Sequence, residues 1–243
     1  MQKLIFKDYH ALSVAAAKEI LGLISSKPDA VLCLAAGDTP GLAYRLLRDM
    51  AVEERVDFSQ CTFVGLDEWI GIPPDNPGSC HHFLMNNLFI PLGIKPSQIN
   101  LFDALSKDPV SECRKMDDTI RMKGGIDLML VGVGMNGHIG FNEPGTPMNH
   151  YAHVVELDAI TATVGQKYFK QSTRLEKGIT LGLRHFLESR KAIMVVSGSK
   201  KSSIVREALQ GEITTSVPAS VIRAHDNGII LLDEEAAAGL RSA

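Results

Sequence analysis

The chain has 243 residues, 45% of them hydrophobic and 22% charged, with a formal net charge of -3. That balance fits a soluble globular chain long enough to bury most of its apolar surface. It excludes a broad basic field that would hold nucleic acid or anionic lipid, and no apolar run nears the ~20 residues that span a bilayer.

The opening Met1-Gln2-Lys3-Leu4-Ile5-Phe6-Lys7-Asp8 is too short and too charged for a signal peptide. Residues 9–24 carry Leu12, Ala16, Ile20, Leu23 and Ile24 near the helical period. Residues 30–35 read as a buried strand. Thr39-Pro40 then reads as an N-cap followed by proline, opening a helix to about residue 50. A strand over 61–66 precedes a helix over 79–88, and a helix over 110–122 leads into a strand over 126–131. The last elements are a strand over 192–196, a helix over 199–209 and a strand over 228–232. Residues 73–79 and 144–150 read as surface loops. Alternation of this kind predicts an α/β fold, a mostly parallel sheet with helices on both faces. The expected architecture is Rossmann-like and doubly wound, as a single domain over residues 1–243. Cys33, Cys61, Cys80 and Cys113 form no CxxC pair, and two lie in apolar runs. Reduced core thiols and a cytoplasmic location are expected.

Four strands empty into loops rich in polar residues: Gly37-Asp38-Thr39, Asp67-Glu68, the stretch from Asn136 to Glu143, and Ser197-Gly198-Ser199-Lys200-Lys201. Ligands of open parallel sheets bind outside the carboxyl ends of the strands, so all four loops are expected at one edge. His138 is a base that titrates near neutrality, and Glu143 stands five residues on to orient it, with Asn136 beside them. The plainer alternative is that the pair only satisfies loop backbone. Asp67 is placed to abstract a proton alpha to a carbonyl or imine; alternatively, one acid of Asp67-Glu68 caps a turn. Trp69 reads as a core residue. Gly37, Thr39 and the helix start after them suit a phosphate, with the Asp38 carboxylate expected to face away. Lys201 adds a cation from a second strand-to-helix turn. Gly132, Gly134 and Gly137 also match a dinucleotide fingerprint, with Glu156 as its ribose acid, but Gly140, Pro144, Gly145 and Pro147 forbid the helix that fingerprint must open. Of the eight histidines, His81, His82, His150, His153, His185 and His225 lack partners at metal-ligand spacing.

On these motifs the chain resembles the glucosamine-6-phosphate deaminase/isomerase family. The likeness rests on Leu66-Asp67-Glu68-Trp69, on Gly37-Asp38-Thr39-Pro40, and on Asn136-Gly137-His138-Ile139-Gly140-Phe141-Asn142-Glu143-Pro144. Ser26-Lys27-Pro28-Asp29-Ala30-Val31, Trp69, Pro77-Gly78-Ser79-Cys80 and Gly178-Ile179-Thr180-Leu181-Gly182-Leu183 are closer to the galactosamine-6-phosphate branch. The resemblance implies opening of a hexosamine 6-phosphate ring, aldose–ketose isomerisation through an enolamine, and release of ammonia. It assigns Asp67 as the base between C2 and C1. His138 becomes the ring-opening acid/base, oriented by Glu143 with Asn136 assisting. Gly37, Thr39 and Lys201 hold the phosphate. Asp38 stands where relatives have a second glycine, and Lys167 where they have an arginine. Many relatives carry aspartate in place of Asn136. No metal or other cofactor is implied, and the expected partner is a small phosphorylated amino sugar. A homo-oligomer is left open, and the allosteric site of longer relatives is not expected. Two other functions compete with this one. A 6-phosphogluconolactonase would carry arginine after the Asp-Glu pair, where this chain has Trp69. A non-enzymatic sugar-phosphate sensor would need neither Asp67 nor the His138/Glu143 pair.

Overall fold

The core strands follow from short apolar runs with no polar alternation, the pattern of strands covered on both faces. The computed structural model describes residues 1–241. In chain order the strands are β1 (Gln2–Phe6), β2 (Val31–Leu34), β3 (Thr62–Gly65), β4 (Asp67–Trp69), β5 (Ile99–Asn100), β6 (Leu128–Val131), β7 (His153–Glu156), β8 (Lys177–Thr180), β9 (Ala192–Val196) and β10 (Gly228–Asp233). The helices are α1 (Tyr9–Ser26), α2 (Asp38–Glu53), α3 (Cys80–Leu84), α4 (Pro109–Met122), α5 (Ala159–Gly165), α6 (Leu183–Glu188), α7 (Ser202–Gln210) and α8 (Glu234–Ala237). Every residue of β2, β3, β6, β9 and β10 is buried.

Seven strands form one sheet in the order β1-β10-β9-β6-β2-β3-β5, each pair parallel. Side chains alternate between its two faces. Val31, Cys33, Met129 and Val131 pack with Met116 and Ile120 of α4, Phe186 of α6 and Val205 of α7. Leu32, Leu34, Leu128 and Leu130 pack with Leu12 and Ile20 of α1 and with Tyr44 and Leu47 of α2 on the other. Helices therefore cover both faces, as the alternation of elements predicts. Among the described residues no helix is long and apolar enough to cross a membrane. Cys33, Cys61 and Cys113 are buried and Cys80 is half-buried, all as free thiols.

Several elements are absent from the sequence reading. β1 is a mostly exposed edge strand whose apolar run is only Leu4-Ile5-Phe6, too short to stand out from the polar residues around it. A second, antiparallel sheet orders β4-β8-β7. Its first strand starts one residue beyond β3, so the chain leaves one sheet at Leu66 and enters the other at Asp67. Trp69 lies inside the small cluster that this sheet forms with Phe141 and Leu175, its ring 4.5 Å from that of Phe141.

Helix α2 also begins differently from expectation. Its N-cap is Gly37, at φ 109° and with no side-chain cap, so Thr39 lies inside the first turn with its hydroxyl unused as a cap. Only glycine takes that backbone conformation without strain. The Tyr9 hydroxyl of α1 sits 2.8 Å from the Thr39 carbonyl and holds the turn from outside.

Candidate functional site

Strand order reverses between β2 and β6, and an open sheet has its crevice outside the carboxyl ends of such a pair. Here the crevice is a cleft of about 210 Å³ lined by Gly37, Asp67, Gly134, His138, Lys167 and Lys201, among others. All four polar loops reach it. Its volume lies below the ~300–1,000 Å³ of sites for drug-sized ligands and suits a single small metabolite.

One wall is the loop after β6. Gly134 and Gly137 close it as a turn: the Gly137 amide donates to the Gly134 carbonyl at 3.2 Å, and the Gly134 amide donates to the His138 carbonyl at 2.9 Å. A Cβ at Gly134 would lie 2.4 Å from the His138 ring, so the imidazole rests on bare backbone. Buried Asn142 anchors the loop by donating to the carbonyls of Ile139 and Leu181, each at 2.8 Å. No helix follows, so the glycines serve the turn and not a dinucleotide. Glu156 is exposed on β7, paired with Lys177 at 2.9 Å.

His138 is 19% exposed at its side chain, with Nδ1 3.3 Å from Glu143 Oε2. Asn136 and Glu143 stand behind the ring, outside the cleft lining. Asn136 donates to Glu143 Oε2 at 2.8 Å and accepts from the His138 amide at 3.2 Å. Burial works against the Glu143 carboxylate, but hydrogen bonds and charge from His138, with Thr161 and Asn136, hold its pKa below the usual range.

The opposite wall starts where β3 gives way to β4. Asp67 is half-buried, and burial pushes its pKa up to about 7; the Cys80 thiol pulls it down and the neighbouring Glu68 charge adds to the rise. A Cβ at Gly140 would sit 3.3 Å from Asp67 Oδ2, so the histidine loop passes directly over this carboxylate. Glu68 turns away and is only 3% exposed. It accepts from the amides of Trp69 at 2.9 Å, Cys80 at 3.0 Å and His81 at 2.7 Å, capping the start of α3. Of the two acids, one caps and the other faces the cleft.

At the far end, the start of α2 from Gly37 to Thr39 lines the cleft together with Lys201 and Lys167. Helix geometry leaves the first amides of such a start without intrahelical partners. Lys201 donates to the Val133 carbonyl. Burial, and then the charge of Lys167, lower its pKa to about 8. Lys167 reaches across the mouth to Asp38, Nζ to Oδ2 2.7 Å, so the exposed Asp38 carboxylate is turned to the mouth of the cleft, where the sequence reading has it facing away. The second strand-to-helix turn differs from expectation. Gly198 donates to Asp233 at 3.1 Å and Ser199 donates to Glu235 at 3.2 Å. Its amides are occupied by acids, and Lys201 is what it contributes.

The remaining histidines lie elsewhere: His185 is buried 3.2 Å from Asp117, and buried His225 contacts Ser189 at 3.2 Å. Sequence reasoning missed Thr161, whose Oγ1 is 3.0 Å from His138 Nδ1, and Cys80 and Tyr168, which line the cleft. The Asp158 side chain accepts from the Ile160 amide and marks the start of α5, a signal that could have placed Thr161 on a helix.

Known proteins resemble this chain in sequence and architecture. The model of the family described as Glucosamine-6-phosphate isomerases/6-phosphogluconolactonase matches residues 8–231. The glucosamine-6-phosphate deaminase of Thermoanaerobacter sp. (strain X514) is 37% identical over 238 residues, covering 98% of this chain and 94% of the relative. That of Halothermothrix orenii (strain H 168 / OCM 544 / DSM 9562) is 36% identical over 238 residues, 98% and 99% covered. Among solved structures, a monomeric glucosamine-6-phosphate deaminase superposes with a TM-score of 0.95 at 36% identity, covering 98% of this chain and 100% of that one. A 6-phosphogluconolactonase from Trypanosoma brucei superposes at 0.78 with 18% identity, over 99% and 98% of the two chains, a likeness of fold alone.

Proposed function

The chain belongs to the glucosamine-6-phosphate isomerases/6-phosphogluconolactonase family, and from that membership we propose that it is the enzyme that isomerises and deaminates a hexosamine 6-phosphate. The product is ammonia with fructose 6-phosphate from the glucosamine substrate, or tagatose 6-phosphate from the galactosamine one. We take residues 1–243 as one domain, the two sheets meeting around this site.

The phosphate sits at the first turn of α2, against Gly37 and Thr39, between Lys201 below and Lys167 above, with Asp38 holding Lys167. His138 Nε2 takes the anomeric hydroxyl proton and returns it to the ring oxygen, opening the sugar. Asp67 removes the proton at C2, leaving an enolamine, and delivers it to C1. Water then adds to the resulting C2 imine and ammonia leaves. Glu143, with Asn136, balances the imidazolium that forms in the first step.

The observation that carries this reading is a carboxylate poised near neutrality and an imidazole over one cleft whose far end gathers two lysines and a helix start. A base with a pKa near the working pH is the one best matched to proton abstraction. The test is ammonia release from glucosamine 6-phosphate and galactosamine 6-phosphate side by side, with 6-phosphogluconolactone hydrolysis as control. Deamination of one epimer is expected. Lactone hydrolysis without ammonia release would overturn the reading.

A further inference from the structure

Thr161 is a polar residue only 4% exposed on α5, and its hydroxyl points at the imidazole. Its Oγ1 lies 3.0 Å from His138 Nδ1 and makes the hydrogen bond there. Glu143 Oε2 stands farther from Nδ1, at 3.3 Å, and is committed to Asn136 at 2.8 Å. Thr161 Oγ1 also lies 3.5 Å from Asn136 Nδ2, which donates to it.

We propose that Thr161 is a positioning residue, its hydroxyl oxygen accepting the His138 Nδ1 hydrogen beside Glu143 and so fixing the imidazole tautomer. The inference rests on the reading of His138 as the ring-opening proton carrier. A threonine hydroxyl has one hydrogen and can also accept. An ionised carboxylate only accepts, so Nδ1, which faces Glu143 Oε2 at 3.3 Å, is the ring nitrogen that carries hydrogen. Thr161 Oγ1, at 3.0 Å, accepts that hydrogen, with Asn136 Nδ2 donating to the same oxygen. Nε2 keeps its lone pair and faces the cleft as a base. The proton count closes over ring opening. Nε2 gains a proton from the anomeric hydroxyl and loses it to the ring oxygen, while Nδ1–H stays bonded to Thr161 throughout. Reversing the hydroxyl would put the proton on Nε2 and leave nothing to accept the anomeric proton.

Two variants of the full chain separate this role from packing. Thr161→Val keeps the shape and removes the hydroxyl, and Thr161→Ser keeps the hydroxyl and removes a methyl. Imidazole ¹⁵N shifts report the tautomer without turnover, and kcat and KM with a hexosamine 6-phosphate report the chemistry. The native chain should show the Nδ1–H form. Thr161→Val should lose that preference and fall roughly 10-fold or more in kcat, part of the ~10²–10⁴ that a positioned acid/base supplies, at unchanged KM. Thr161→Ser should recover most of both. A Val variant with native tautomer and native kcat overturns this role, and so does equal loss in Val and Ser. Absence of ammonia release by the native chain would strike the proposed activity, and the tautomer ratio would still decide for or against Thr161.

Discussion

Asp67 and Lys201 are displaced toward each other by the same cause, burial at the two ends of one cleft. The carboxylate is pushed up to about 7 and the ammonium down to about 8, the latter helped by the charge of Lys167. As assigned, the base works ionised and the phosphate ligand works protonated. We therefore expect kcat/KM to rise with pH through about 7 and to fall above about 8, a narrow bell in a pH–rate profile. Lys201→Ala should remove the alkaline limb and raise KM with little change in kcat, since the phosphate is held in ground and transition states alike. Asp67→Asn should abolish ammonia release while phosphate binding persists. It carries a stability signature as well. A carboxyl whose folded pKa is raised binds more protons folded than unfolded, so native stability falls as pH climbs from about 4 to about 7. Asp67→Asn should lose that dependence and melt above the native chain at pH 8 but not at pH 4, as read by thermal unfolding. The placement of Asp67 and His138 at one cleft was legible in the sequence because each follows an apolar strand run. The fate of Glu68 was not, because its partners are backbone amides of a helix start a dozen residues on.

At the scale of elements, α5 joins the two halves of the site. It carries Thr161 against His138 and, in the turn that follows, Lys167 against Asp38. Gly165 seats it: a Cβ there would meet the Trp69 ring at 2.7 Å. Gly165→Ala should therefore lift the helix, lowering kcat and raising KM together, where Lys201→Ala moves KM alone; steady-state kinetics of the two variants decide it. The strands of the large sheet could be read from sequence because each is buried on both faces and apolar throughout. The second sheet could not. Its strands have three or four residues, and what aligns them is register: Thr180 lies opposite Asp67 on one side and His153 on the other. The segment Ala159-Ile160-Thr161-Ala162-Thr163-Val164 is likewise silent, since a buried threonine in an apolar stretch looks the same whether it packs or bonds an imidazole.

Taken whole, the molecule gathers its site by topology, with segments from Gly37 to Lys201 converging because the strand order turns around at β2 and β6. The same scaffold in a lactonase shows that the architecture alone leaves the chemistry open, and that the side chains at the crevice decide it. A ligand held only by the folded chain stabilises it, by ~2.7 kcal/mol at a hundred times its Kd, which for a chain of this size is about 5–10 °C in Tm. Inorganic phosphate at that excess should raise the melting temperature of the native chain and leave that of Lys201→Ala nearly unmoved. The Asp38–Lys167 contact adds a kinetic consequence. An arriving dianion meets a doorway already spanned by two opposite charges, and it has to trade places with a carboxylate to gain the lysine. Such exposed pairs weaken as salt is added, within a Debye length of ~10 Å at 0.1 M. Entry should thus quicken with the first increments of salt, as the clasp slackens, and slow at higher concentrations as the pull on the anion is screened in its turn.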